Sequence, residues 1–460
     1  TREVGIVHVL SRMDSHYGAL PFRTAVLQFT AGSFALATGQ SGGREGPGVH
    51  LGAAVNSLLG QRLGLPNNSL RILIACGTAG GIAAAFHTPL AGVIFAMEVI
   101  IAEYTVVGFV PVMLAAVSAS AISRILPGSG TMFTVPPTEL KSLMEIPFIV
   151  FLGFCCGLAV TCFIKLSSSV SRLSNLNVAI RFTGAGLVTA CMALWVPEVL
   201  GIGYDSLNEM LSGELAISLL VALGACKLIA TAIGSGAGLP IGIIGPSLLI
   251  GASIGSSLSV LGRAWQPDLA SDHALYVVIG MGATMGAILN APLAAILAVI
   301  ELTGNIVLGM PAMLAIVTST LTTSGIFRQS SVHQSVLSQL QRRTPDDPLS
   351  KMLHRTDVTS IMDQRTVRVP CDFSPEDLEP LLEFTPTWCI VAREAEDLYL
   401  VSGSDLLAWL QAREAASQEA DLTEADIRRW TLAEVPVQAT LRQAVDRMRS
   451  ATAEAVSVYE

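Results

Sequence analysis

The first three quarters of the chain consist of long apolar tracts that short glycine- and proline-rich breaks interrupt. Residues 144–166 and 216–234 are predominantly apolar, and each is long enough to cross a bilayer as a helix, which takes about 20 residues. Other tracts are broken, by GREGP at 43–47 and by HTP at 87–89. Irregular backbone at membrane depth is tolerated only where protein buries it or where it lines a wet cavity. The pattern therefore predicts an all-α polytopic membrane domain with broken helices, which is typical of transporters and channels.

The pattern changes near residue 344, where the apolar tracts end. The alternation within residues 387–411 predicts a strand, a turn, a second strand and a helix, and a similar pattern starts again at about Thr431. We therefore predict two domains: a membrane domain at 1–343, and an α/β domain at 344–460 whose second unit is truncated.

Composition agrees with this division. Hydrophobic residues make up 51% of the chain and charged residues only 14%, against about 25% charged in soluble proteins. Residues 344–460 carry 11 Lys and Arg but 22 Asp and Glu, a net charge of −11, whereas residues 1–343 carry +2. A nearly neutral body suited to a lipid bilayer is thus followed by an acidic tail, which argues against nucleic acid as a partner.

Metal-based or nucleophilic chemistry finds no support in the sequence. Six of the eight cysteines lie in apolar segments, and no CxxC or Cys/His spacing suggests a zinc site. We find no nucleophile–base spacing and no phosphate-binding lysine loop. We therefore expect a protein that is not an enzyme and that holds no metal or obligatory cofactor.

An internal repeat connects two parts of the apolar region. Residues 43–60 resemble residues 242–259, and residues 84–99 resemble residues 287–302, with nearly the same offset of 199 and 203 positions. A shared bias towards small residues is the alternative explanation, and the residues alone do not distinguish inverted from parallel repeats. Broken segments at corresponding positions of a duplicated membrane fold point to a binding site near the midplane.

The GREGP break predicts a helix that starts at Pro47, directly after Gly46. The start of a helix presents free N–H groups and the positive end of the helix dipole, and this favours anions. The second repeat offers the same arrangement at Ile243, Ile244 and Gly245. Because glycine lets the backbone approach a ligand closely, backbone groups alone can bind a permeant anion here.

Glu45 places a carboxylate at this predicted anion site. An ionised carboxylate can occupy the site in place of an anion and can withdraw when it is protonated, so Glu45 is a candidate gate or proton carrier. Ionisable residues inside membranes are costly and usually functional. The alternative is structural, with Glu45 pairing with Arg44 or capping its own helix.

Four motifs in order resemble the CLC family of chloride channels and chloride/proton exchangers, namely GREGP, AAFHTPLAGVIFAMEV, GLPIGIIGP and APLAAILAVIELTGN. The resemblance covers about residues 1–340, and the tail resembles a pair of CBS domains. It implies an inverted-repeat homodimer with one chloride pathway in each subunit, in the plasma (inner) membrane, with the tail in the cytoplasm. It also implies that Glu45 is the external gating glutamate and that chloride is bound by backbone N–H groups of Ile243 and Ile244, near Arg44, Gly46 and Gly245.

The sequence departs from the family's pattern in three places. Thr1 takes the place of a serine in the family's first anion-binding loop, so we expect the helices before it to be missing. His333 stands at the place of the pore tyrosine and can hydrogen-bond an anion. Val99, which follows Glu98, stands where proton-coupled members usually carry an inward-facing glutamate.

These departures bear on the transport mode. Because valine cannot carry a proton, Val99 favours a passive, voltage- or pH-gated chloride channel. Some exchangers lack that glutamate, so chloride/proton antiport is the alternative. A CBS-bearing divalent-cation transporter is a distant third, since hard cations need several carboxylates. Selectivity among chloride, nitrate and fluoride stays open, with chloride as the default.

Two further predictions concern carboxylates away from the gate. Glu98 and Glu301 occupy matching positions of the repeat, and we interpret both as structural groups at helix ends. Asp405, in LVSGSDLL, lies where CBS domains often contact a ribose, which makes an adenine nucleotide a candidate ligand. A tail that only stabilises a dimer is the alternative.

Overall fold

The chain divides into two compact units, of which one contains Thr1–Leu63 and Ser69–Thr344 and the other contains Gly64–Asn68 and Pro345–Glu460. The predicted boundary after residue 343 lies one residue from this division. The computed structural model describes residues 4–104, 106–126, 133, 135–265, 271–339, 352–353, 356–370, 372–373, 386–393, 397–413, 420–421 and 426–459.

The described part of the first unit is helical. Its α-helices are α1 Gly5–Ser15, α2 Phe22–Ala37, α3 Glu45–Arg62, α4 Asn67–Phe86, α5 Pro89–Phe95, α6 Val106–Ile125, α7 Ile146–Ser171, α8 Val178–Ala193, α9 Tyr204–Ser212, α10 Ile217–Ala237, α11 Ile244–Trp265, α12 His273–Leu289, α13 Pro292–Thr303, α14 Gly309–Thr320 and α15 Val332–Gln339. A π-helical turn extends α5 over Ala96–Ile101, and another extends α14 over Leu321–Ile326.

Six described helices are long and apolar enough to cross a membrane, and the longest such stretch, Leu143–Asn175, has 33 residues. Large apolar side chains also cover the outside of the unit: Phe34 is 71% exposed, Leu114 is 69% exposed and Leu194 is 84% exposed. A soluble protein rarely exposes apolar surface on this scale, so these faces are suited to lipid. The first unit is therefore a multi-pass membrane domain, as the hydrophobic pattern predicts.

The centre of the unit is α12, whose residues are all buried except the first, His273. It packs on α11 through glycines, because a Cβ at Gly251 would lie 2.1 Å from the carbonyl oxygen of Gly280. The same close approach occurs between α3 and α4, where a Cβ at Gly52 would lie 2.1 Å from the carbonyl oxygen of Gly77. Small residues at such crossings are typical of membrane helix pairs.

The two breaks predicted around proline are present and alike. The chain leaves α4 through His87 at φ 58° and begins α5 at Pro89, and it leaves α12 through Asn290 at φ 53° and begins α13 at Pro292. Proline favours the first turn of a helix because its missing N–H would have no partner there.

Each of the two repeats supplies a glutamate whose carboxylate accepts hydrogen bonds at the start of a helix in the other repeat. Glu98 accepts hydrogen bonds from the N–H groups of Leu293 and Ala294 at the start of α13, at 3.4 and 2.9 Å. Glu301 accepts them from Leu90 and Ala91 at the start of α5, at 3.0 and 2.8 Å. Both carboxylates therefore stabilise helix ends, as the repeat predicts, but each stabilises a helix of the other half.

The second unit contains an α/β layer with strands β1 Thr366–Pro370, β2 Asp372–Phe373, β3 Trp388–Arg393, β4 Asp397–Ser402, β5 Ala420–Asp421, β6 Trp430–Pro436 and β7 Ala455–Tyr459 and with helices α16 Gly403–Arg413 and α17 Leu441–Ala451. The main sheet has the order β1-β3-β4-β6-β7, in which β3 and β4 are antiparallel and β6 and β7 are parallel. The two strands and the helix predicted for 387–411 are present as β3, β4 and α16, the turn between the strands lies outside the described residues, and the repeated pattern starts at Trp430. That the unit is a CBS pair stays a prediction.

Candidate anion site and gate

The predicted anion site lies where α3 and α11 begin. Gly43 and Gly242, in the two loops that lead into these helices, form an antiparallel bridge in which each N–H donates to the other carbonyl oxygen at 2.7 Å. This reciprocal pairing is the local geometry that a two-fold axis between the halves produces. It brings the first turns of both helices to one place.

Glycine is required for this approach. A Cβ at Gly46 would lie 2.8 Å from the Cα of Gly242, and a Cβ at Gly242 would lie 2.6 Å from the backbone nitrogen of Gly46. One expected detail differs: α3 starts at Glu45 rather than at Pro47, so the gate residue belongs to the first turn. Helical backbone tolerates a proline two positions further on, because the first N–H groups of a helix have no intrahelical partner.

Glu45 reaches from its own helix to the start of the other one. Its side chain is only 1% exposed, and Oε2 accepts a hydrogen bond from the N–H of Gly245 at 3.3 Å. The carboxylate thus lies at the positive end of α11, where the sequence predicts a bound anion. It does more than cap its own helix, which was the structural alternative.

The first turn of α11 supplies a backbone donor to this carboxylate. The side chains of Ile243 and Ile244 are buried, at 4% and 1% exposure, and they enclose the first turn of α11 in apolar material. An anion here would meet the N–H groups of that turn in a medium of low dielectric, which strengthens the interaction relative to water.

Arg44 is exposed and does not point into the protein core. Its guanidinium carbon lies 5.8 Å from the ring centroid of Tyr204, and one of its nitrogens donates to the carbonyl oxygen of Ala85 at 3.4 Å. These contacts fix the arginine beside the gate, where its charge favours approaching anions.

Sequence reasoning missed two residues of the site. The Tyr204 hydroxyl donates a hydrogen bond to Oε1 of Glu45. The ammonium group of Lys227 is fully buried and donates to the carbonyl oxygens of Val199 and Gly201 at 3.0 and 2.7 Å, and its charge attracts that of Glu45. Lys227 could have been found as a lone cation in an otherwise apolar span. The contact between Tyr204 and Glu45 joins positions 159 residues apart and follows from no local pattern.

The remaining predicted residues lie elsewhere or outside the described chain. His333 is buried in the first turn of α15. Its Nε2 has no hydrogen-bond partner among the described residues, so this nitrogen could still form a hydrogen bond. Val99 lies in the π-helical turn after α5 and is half-buried against the apolar core. Thr1 lies outside the described residues. Asp405 lies in the exposed first turn of α16, and its nucleotide role stays a prediction.

A narrow apolar cavity of about 10 Å³ borders Ile244, in the first turn of α11. It has room for about one water molecule. Its lining comes from α4, α5, α11, α12 and α13 and includes Phe86, Phe95, Leu248 and Met285.

The chain is similar to known proteins in sequence and in fold. A family model described as "Voltage gated chloride channel" matches residues 1–324. A "Putative chloride channel protein ClcB-like" from Ralstonia nicotianae is 32% identical over 339 residues, which cover 72% of this chain and 78% of that protein. An "H(+)/Cl(-) exchange transporter ClcA" from Vibrio cholerae is 30% identical over 350 residues, which cover 74% of each.

Solved structures show the same fold. The crystal structure of a slow cyanobacterial Cl−/H+ antiporter superposes with a TM-score of 0.64 at 21% identity and covers 74% of this chain and 81% of that one.

Proposed function

Because the chain belongs to the CLC family of voltage-gated chloride channels and related transporters, we propose that it exchanges chloride for protons across a membrane, with Glu45 as gate and proton carrier. Anion transport is the activity of the family, and relatives at 30% identity are named as H+/Cl− exchangers. The observation that carries the proposal is the carboxylate of Glu45 at the N-terminus of α11.

Coupling between protons and chloride arises because the ionised carboxylate of Glu45 and a chloride ion compete for the same site. While Glu45 is ionised it occupies the first turn of α11, so an anion cannot bind there. A proton neutralises the carboxylate, weakens its attraction to the helix dipole and frees the site for chloride. Proton binding and anion binding then favour each other, as linkage requires.

We assign the anion contacts to the backbone of Gly46, Ile243, Ile244 and Gly245, with Arg44 attracting anions from outside and His333 offering its unpartnered Nε2. Chloride is the proposed substrate, with nitrate and fluoride as competitors to be compared. We further propose that the protein is a homodimer of the plasma (inner) membrane and that its tail is a cytoplasmic CBS pair.

A passive channel, which Val99 favours, is the less well supported mode. A relative at 32% identity is named as a putative channel, but exchangers recur among the relatives and the solved structures. Exchange requires that protons reach Glu45 without a carboxylate at position 99.

The test uses the full chain in liposomes with an outward chloride gradient, while external chloride and pH are recorded together. Potassium with valinomycin holds the voltage at zero. Proton movement against its own gradient, driven by chloride, supports exchange. Chloride flux that leaves the pH unchanged under this clamp would reject exchange in favour of a channel.

A further inference from the structure

We propose that Tyr204 is a positioning residue for the gate, whose hydroxyl holds ionised Glu45 at the start of α11 and so sets how easily an anion displaces it. This inference rests on the proposed function in one respect: it takes the place that Glu45 occupies to be the anion site.

The ring of Tyr204 is held from two sides. Phe133, which is 6% exposed, contacts it edge-on, with ring centroids 5.2 Å apart and an interplanar angle of 89°. The guanidinium of Arg44 lies over the ring at 5.8 Å. With the ring fixed, the hydroxyl is directed at Oε1 of Glu45.

The backbone that carries Tyr204 is bonded to the loop that carries Glu45. The N–H of Gly42 donates to the carbonyl oxygen of Gly201 at 3.3 Å, and the N–H of Gly201 donates to the carbonyl oxygen of Gly39 at 3.2 Å. The ammonium group of Lys227 holds the same segment by donating hydrogen bonds to the carbonyl oxygens of Val199 and Gly201. The donor and the acceptor therefore keep a fixed separation, which a chance surface contact would lack.

The two oxygens of Glu45 then have different partners. Oε2 meets the backbone N–H of Gly245, which an incoming anion would also need, whereas Oε1 meets the phenol, which lies on α9. Hydrogen bonds to an ionised acceptor are about twice as strong as those between neutral groups. Removing the phenol donor should thus weaken the carboxylate's hold on the site without removing any backbone donor.

The experiment measures chloride binding to the purified full chain by isothermal titration calorimetry. In Tyr204→Phe, which keeps the ring and loses only the hydroxyl, we expect chloride to bind about tenfold more tightly, a change of about 1.4 kcal/mol. In a Glu45→Gln background the same substitution should change the affinity less than twofold. An unchanged affinity in Tyr204→Phe, or an equal change in both backgrounds, would overturn the proposal.

A second Tyr–Glu pair supplies a matched control. Tyr276 donates to Glu145 and packs edge-on against Phe148, with ring centroids 5.5 Å apart and an angle of 90°. Tyr276→Phe therefore removes a comparable hydroxyl from a comparable setting away from the gate. It should lower the melting temperature and leave chloride affinity unchanged, and a tenfold tightening in this variant too would refute a specific role for Tyr204.

The pH profile gives a readout that a merely structural role would not move. Glu45 is faced by Tyr204 from α9, Lys227 from α10, Arg44 in its own loop and the N–H of Gly245 on α11. The advantage of Tyr204→Phe should shrink as the pH falls, because a protonated Glu45 no longer competes for the site, and a constant advantage contradicts the proposal. Absent proton coupling in liposomes would reject exchange but not this inference, since binding is measured without a membrane gradient.

Discussion

The reciprocal caps made by Glu98 and Glu301 allow a structural role to be separated from proton transport. Pro89 has no N–H, so Leu90 and Ala91 are the first donors of α5, and both donate to Glu301. A glutamine at position 301 keeps one carbonyl oxygen but presents an NH₂ group to the second donor. It therefore loses one hydrogen bond and the charge that faces the helix dipole.

The expected cost follows from these two losses. Removing a side-chain cap costs about 1 kcal/mol, and losing a carboxylate at a helix N-terminus costs about 0.3–1 kcal/mol. Glu301→Gln should thus lower stability by about 1.5–2 kcal/mol, or a few degrees in melting temperature. Glu98→Gln makes the equivalent loss at the start of α13 and should have the same effect within about 0.5 kcal/mol.

The assay is thermal unfolding in detergent, followed by tryptophan fluorescence, combined with the proton-to-chloride ratio in liposomes. Glu139→Gln, at an exposed position, serves as the control that should not shift the melting temperature. Both cap variants should lower it and keep the transport ratio. If Glu98→Gln abolished proton movement while Glu301→Gln did not, Glu98 would be part of the proton path and the reasoning from symmetry would fail.

Three further predictions concern the gate and the tail. Glu45→Gln removes the charge at similar shape, so anion flux should lose its pH dependence, and a retained dependence in a flux assay would place the gate elsewhere. Lys227→Met fills similar space but leaves the carbonyl oxygens of Val199 and Gly201 without their buried donor. It should therefore lower the melting temperature and weaken chloride binding severalfold. Unchanged chloride binding in calorimetry would limit Lys227 to a structural role. Burial raises the pKa of the Cys389 thiol to about 11, so little thiolate exists at pH 8, and maleimide should label it slowly in the folded chain and fast in denaturant; equal rates by mass spectrometry would contradict its burial.

Local features of the sequence were sufficient for the helix breaks and for the site's backbone. The proline after each break favours a helix start for local reasons, and the glycines at 43, 46 and 242 leave room for the close approach of the two loops. The π-helical turn at Ala96–Ile101 could not be predicted in this way, because it has the same apolar composition as the α-helix before it. The helix α12 could not be predicted as a membrane span either. Its 17 residues are too few to indicate one, and all of them except His273 are buried in protein.

The internal repeat alone could not predict which side chains form the gate, because the matching positions of the two halves carry different residues. At the offset of 199 that pairs Gly43 with Gly242, Glu45 corresponds to Ile244, Tyr204 to Gly5 and Lys227 to Gln28. Gln28 is fully buried like Lys227, and it too bonds backbone groups, the N–H of Gly5 and the carbonyl oxygen of Pro240. The halves thus share a scaffold of buried polar groups that hold loops in place.

At these matching positions the halves differ: the first half carries the carboxylate of Glu45, and the second half carries the phenol of Tyr204 and the ammonium group of Lys227. A symmetric pair of helix N-termini would bind an anion from either half alike. The carboxylate lies on one half and its hydroxyl donor on the other, and under the proposed function a single proton on Glu45 would release the site. We infer that the divergence of the halves at these three positions, rather than the duplicated backbone, is what turns an anion site into a gated one.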